Sequence, residues 1–264
     1  MAIRSIRSAK LSVTVACAMT LASSSFGQEW SNLKGRIVVT GDVPKPSALE
    51  ITRDEEVCGV FGLTDESLLV NAKNNGLKNV VVWLSSKKPV PVHPDFMQPP
   101  KPVQLDNKDC TFQPRIVKLR TQQILQSTNA DSVPHNVAVY GRRNTPFSIV
   151  VPHNEPLERA FDKEELLPIR VDCSIHAWMR AYLIITEHPY SAVTDADGHF
   201  NIPNLPAGTW EFRFWHERPG YLSQLELGGQ LKELKRGTVG LEITAANQDL
   251  GELRVSSDLL LTDD

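Results

Sequence analysis

Cysteine is scarce in this sequence, with four residues among 264. That is too few for a miniprotein that replaces a missing core with disulfides. Long apolar runs are missing as well. The apolar run near the N-terminus, residues 11–22, falls short of the roughly 20 residues a helix needs to cross a bilayer. There is no excess of positive charge. The 28 Lys and Arg stand against 31 Asp and Glu, a balance that argues against a nucleic-acid binder. Helical periodicity is almost absent. No G-x-S-x-G, H-E-x-x-H, P-loop or C-x-x-C-H occurs, so hydrolase, nucleotide and covalent-haem functions have no support. What remains, 41% hydrophobic and 22% charged residues, describes a folded globular chain of one large or two ordinary domains.

The first 27 residues read as an export signal. Arg4, Arg7 and Lys10 precede the apolar stretch, and Ser25 and Gly27 supply the small residues of a cleavage site. Loss of this segment removes three basic residues and Cys17, leaving an acidic chain with three cysteines. The expectation is a soluble periplasmic or extracellular protein with no membrane insertion after cleavage. An odd cysteine count in an exported chain suggests one disulfide and one thiol kept for another purpose. Cys58 and Cys110 are the natural pair, because Cys173 sits in a different context. Three buried thiols are the alternative.

Short alternating or apolar runs at 35–40, 79–84, 116–119, 136–140, 169–173, 181–186 and 210–215 predict strands. In the last, Trp210, Phe212 and Phe214 alternate with Glu211 and Arg213. Turn residues separate the runs, as in β-sandwiches, and the fold class is all-β. Residues 162–167 suggest one helical turn. Residues 85–104 hold six prolines and read as an extended connector.

The most informative segment is Cys173-Ser-Ile-His176-Ala-Trp-Met179. Thiolate, imidazole and thioether at this spacing, in a loop between two strand-like runs, suit copper. Composition produces this spacing by chance in roughly one chain in 600. His135, at the start of an earlier strand, supplies a further ligand. Two His and one Cys with a weak axial Met make a type 1 (blue) copper site. A buried Cys and a core Met in a metal-free sandwich form the competing reading. No H-x-H pair is present for a trinuclear copper cluster. The single loop cysteine argues against a binuclear centre, and Met179 would be an odd companion for zinc.

Pro134-His-Asn-Val137 and Cys173-Ser-Ile-His-Ala-Trp-Met-Arg180 resemble the two copper-binding segments of cupredoxins, most closely the amicyanin type with its short ligand loop. The resemblance implies a Greek-key sandwich over 105–188, with His135, Cys173 and His176 as strong ligands and Met179 as the weak one. It also implies that Asn136 braces Cys173, its backbone N–H directed at the sulfur, and that His176 is the solvent-side ligand where electrons pass. Ala177 departs from the family's proline.

Residues 192–210, with Gly220-Tyr221, resemble the carboxypeptidase regulatory-like (transthyretin-like) sandwich, and 34–39 with 77–84 resemble its opening. The expectation is one such sandwich built from 30–86 and 189–256, with the 87–104 connector leading into an inserted cupredoxin and a tail at 257–264. Two domains in tandem are the simpler alternative. Asp195, Asp197 and Gly198 read as a tight turn, having only a fragment of a calcium loop. His188 and His216 read as surface or sheet-edge histidines, with a second metal or binding site as the alternative. Trp178 reads either as a docking surface or as a core aromatic.

The functional expectation is an exported electron carrier, not an enzyme, holding one copper ion and serving a redox protein partner. A cell-envelope binding or scaffold module, or a protein for copper capture or delivery, are the competing readings.

Overall fold

The computed structural model describes residues 28–261. The expected export signal, residues 1–27, lies outside the described residues. The described residues are almost wholly β, arranged as four sheets. No helix among them is long and apolar enough to cross a membrane.

The first sheet runs His199–Pro206, Trp30–Thr40, Gln248–Ser256, Gln224–Leu227, Gln230–Glu233. The second runs Ser191–Val193, Val81–Ser85, Gly208–His216, Gly220–Tyr221, with Thr238–Ile243 also paired to Gly208–His216. These two enclose a core that includes Ile37, Val82, Leu84, Phe212, Phe214 and Leu253. Every strand in them comes from before residue 86 or after residue 190.

The stretch between supplies the other two sheets. One runs Ile116–Arg120, Arg180–Thr186, Ile169–Asp172, His135–Val139, Phe147–Val151. Its partner runs Thr111–Gln113, Val103–Lys108, Leu125–Asn129, Leu157–Arg159. Their shared core includes Leu105, Val137, Val171, Leu183, Cys173 and Met179.

Period-2 side-chain alternation explains how the four sheets stack. Along Val81–Ser85, Val82 and Leu84 enter the first core, whereas Val81 and Trp83 point the other way. Along Arg180–Thr186, Ala181, Leu183 and Ile185 enter the second core, whereas Tyr182 and Ile184 point outward. The outward sets meet each other, with Ile116 and Trp215, in a third buried cluster. Strands covered on both faces read as continuous apolar runs, which is why 79–84 and 181–186 look unbroken in the sequence. Arg115 and Glu217 add a nearly buried bidentate ion pair with bonds of 2.6 and 2.8 Å.

Three local expectations need correction. Residues 162–167 form bends and not a helical turn. The proline-rich connector is packed. Val90 and Phe96 rest on the first core, and Tyr190 Oη donates to Pro91 O and accepts from His93 N. His188 and His216 are not at the surface, being 8% and 1% exposed. The 195–198 segment is a turn whose carboxylates are occupied. Asp195 accepts from the Asp197 and His199 amides, and Asp197 from Asn71 and Asn74. Glycine suits position 198 twice over, because its φ is positive and a Cβ there would strike Ile37 O at 2.1 Å.

Candidate metal centre

Three elements deliver the donors. His135 opens the strand His135–Val139, after a turn in which Asn129 accepts from Asp131 N and donates to Val133 O. Cys173 follows the end of Ile169–Asp172. The loop then returns to Arg180–Thr186, closed by Cys173 N donating to Met179 O and Met179 N donating to His176 O. A tight loop between antiparallel neighbours therefore places Cys173 and His176 beside the start of a third strand, where His135 stands.

The donors converge in a buried place. The Nδ1 atoms of His135 and His176 are 3.0 Å apart, and Cys173 Sγ is 3.9 Å from His176 Nδ1. Ligand atoms of the three residues all lie within 4.8 Å of one another. His135 and His176 are fully buried, as are Cys173 and Met179 at 1% exposure. Met179 belongs to the same core cluster as Cys173.

Asn136 braces this loop from the neighbouring strand through its side chain. Its Oδ1 accepts from Ser174 N at 2.7 Å and Ser174 Oγ at 3.0 Å and lies 3.4 Å from Cys173 Sγ, while its Nδ2 donates to Ser148. The backbone N–H donating to the sulfur belongs to His176, at 3.4 Å, and not to Asn136. The expected solvent-side role of His176 also fails. That ring is buried, and its outer nitrogen is occupied by Asp54 at 2.8 Å.

The sequence gives little sign of two carboxylates that complete the centre. Asp131 Oδ2 accepts from His135 Nε2 at 2.9 Å and from Cys110 N, while its Oδ1 accepts from Asp109 N. Asp54 does the same for His176 from the far side. Its segment is fastened by the disulfide Cys58–Cys110, which leaves Cys173 as the free thiol among the described residues. An Asp four residues before His135 is the only local hint, and Asp54 stands 122 residues from its partner. Trp178 is half-buried. Its Nε1 donates to Cys110 O and its ring lies 5.1 Å from His176, so it ties the ligand loop to the disulfide turn.

The donor set fits a metal. A carboxylate only accepts hydrogen bonds, so Asp131 and Asp54 favour a proton on each Nε2, the tautomer whose Nδ1 lone pairs are open to a metal. Burial holds the His135 pKa below its ordinary value, with the bond to Asp131 opposing, which favours the neutral ligand form. A thiol and two imidazole lone pairs form a borderline-soft set suited to copper. Cys110, Asp131 and His135 form a second close grouping, but Cys110 is consumed by its disulfide.

No family model and no curated protein matches the chain. Similar solved structures include a copper-containing nitrite reductase from Thermus scotoductus, at 22% identity and TM-score 0.32, covering 37% of this chain. The match spans only 27% of that enzyme's length. A purple cupredoxin from Nitrosopumilus maritimus is similar at 18% identity and TM-score 0.28, covering 33% of this chain and 100% of its own. Amicyanin from Paracoccus versutus is similar at 18% identity and TM-score 0.29, covering 39% of this chain and 96% of its own. These are partial likenesses of fold, and the centre stands on its own geometry.

Proposed function

We propose that this protein is an exported carrier of single electrons, in which His135, Cys173 and His176 would hold one copper ion and Met179 would be the weaker fourth donor. The observation that carries the reading is the convergence of the Cys173 sulfur and two inward Nδ1 atoms in one buried place. Bound copper would supply a one-electron couple between its cuprous and cupric states. The chain's part is to hold the donors still. The Asn136 brace and the two loop hydrogen bonds fix Cys173, and the carboxylates orient both imidazoles. A rigid donor set limits rearrangement on electron transfer. The donors are buried, an arrangement that admits an electron more readily than a substrate. A disulfide suits an oxidising compartment, in keeping with export.

In this reading the 105–188 metal domain is inserted into a carboxypeptidase regulatory-like sandwich formed by 30–86 and 189–256. The first two sheets, whose strands come from both chain segments, support that division. The partner is a redox protein.

The test is to add Cu(II) to the purified protein and record its visible spectrum. The expected result is an intense thiolate-to-copper band that disappears in Cys173→Ala. A folded wild-type protein without that band refutes the reading.

A further inference from the structure

We propose that Asp54 is a positioning residue for the metal centre: by accepting the Nε2 proton of His176, it keeps that ring's Nδ1 lone pair bare and aimed at the other donors. The inference rests on the metal-site reading above and deepens it, because it names what makes the centre ready to receive a metal.

A neutral imidazole has one proton for two nitrogens. In His176 the choice is between Nε2, 2.8 Å from Asp54 Oδ2, and Nδ1, 3.0 Å from His135 Nδ1. His135 has the same choice, and Asp131 holds its proton at Nε2. With both protons held outside, two lone pairs face each other, which is unfavourable until a cation lies between them. If either proton moved inward, it would form an Nδ1–H···Nδ1 hydrogen bond and close the donor set. The outer carboxylates oppose that collapse.

Asp54 is the member of the pair whose removal is informative. Asp131 is buried and also holds two backbone amides, so its loss disturbs a turn. The Asp54 side chain is 34% exposed, and its carboxylate hydrogen-bonds to His176, with Arg53 Nε at 3.9 Å. It reaches the centre from a segment outside the sheet that supplies the donors, held in place by Cys58–Cys110. Among the described residues, the side chain that bonds to the outer nitrogen of the fully buried His176 is therefore one from a distant part of the sequence.

The test uses the full chain as wild type, Asp54→Ala and Asp54→Asn. In metal-free protein at about pH 8, where imidazole is neutral, long-range nitrogen–proton NMR reports each ring's tautomer. The wild type is expected to show Nε2–H on both rings. Asp54→Asn keeps that pattern, because its amide oxygen still accepts. In Asp54→Ala the His176 proton moves to Nδ1, and Cu(II) affinity falls roughly 10- to 100-fold. An Nδ1–H tautomer at His176 in the wild type, or an unchanged tautomer in Asp54→Ala, overturns the role of Asp54. Should Asp54→Ala fail to fold, the wild-type tautomer and the Asp54→Asn spectrum decide. Expected tautomers without a thiolate–copper band refute the electron-carrier reading and leave the role of Asp54 standing. The band with an unmoved tautomer in Asp54→Ala does the reverse.

Discussion

The Nδ1 atoms of His135 and His176 face each other across 3.0 Å, although the residues are 41 positions apart, and each ring is pinned at its outer edge by a carboxylate. Such a pair gains most from a ligand that accepts both lone pairs. Its consequences extend from metal binding to the stability of the chain around it.

Metal binding should stabilise the fold. A ligand that binds only the native state, at 100 times its Kd, contributes about 2.7 kcal/mol. Thermal melts of the protein with and without excess copper should show a higher Tm with the metal. The increment should largely vanish in Cys173→Ala. An equal increment in that variant would place the binding elsewhere.

Asn136→Ala should destabilise the ligand loop. It leaves the Ser174 N–H and hydroxyl without the acceptor they share. The expected loss is about 1–3 kcal/mol, read from the urea midpoint. A change within a few tenths of a kcal/mol would show that water replaces the brace at no cost.

The disulfide should stabilise the native state and hold the cover over His176. Cys58 and Cys110 are 52 residues apart, so the bond closes a long loop in the unfolded chain. The Cys58→Ser, Cys110→Ser double variant should lose about 2–5 kcal/mol in denaturant unfolding. A stability equal to the wild type's would mean that packing alone holds the 54–61 segment.

The Arg115–Glu217 pair should tolerate joint replacement better than single truncation. Arg115→Ala leaves a nearly buried carboxylate without its partner, at a cost of about 3–5 kcal/mol. Replacing both by Met and Leu removes the unpaired charge and should cost less. A double variant as unstable as Arg115→Ala would assign the effect to lost packing between the sheets.

Acid should weaken the fold through two buried histidines. Burial lowers His188 to about 4. Burial, with Arg115 and Arg218 nearby, lowers His216 to about 3. Both stay neutral in the native state while their unfolded counterparts protonate near 6.5. Stability from these groups is therefore complete above about pH 6.5 and declines as pH falls toward the folded values. His188→Gln and His216→Gln should flatten that decline in pH-dependent urea titrations. An unchanged slope would place the acid sensitivity in other groups.

Much of this was legible in the residues. The runs at 79–84 and 181–186 mark strands because apolar side chains on both faces leave a continuous signature. Cys173, His176 and Met179 are close in sequence, so their spacing alone draws attention to a soft-metal loop. Cys58 and Cys110 were separable from Cys173 by context. Other features were hidden because their partners are distant in the chain. Asp54 is one acidic residue in Asp-Glu-Glu, and nothing local distinguishes it from its neighbours. His176 sits in a loop that the sequence places at the surface, yet a covering segment claims its outer edge. His188 and His216 each adjoin a glutamate in sequence, yet lie where stacked sheets exclude water.

The sequence by itself determined the strand periodicity, the all-β class and the loop that brings Cys173 and His176 together. These depend on residues within a few positions of one another, where side-chain alternation and turn chemistry suffice. Only the tertiary structure decided which nitrogen of each imidazole points inward, which carboxylates hold them, and that the ligand edge is covered. Those outcomes depend on contacts between segments as far apart as Asp54 and His176, which form only when the sheets stack and the disulfide fastens the cover in place.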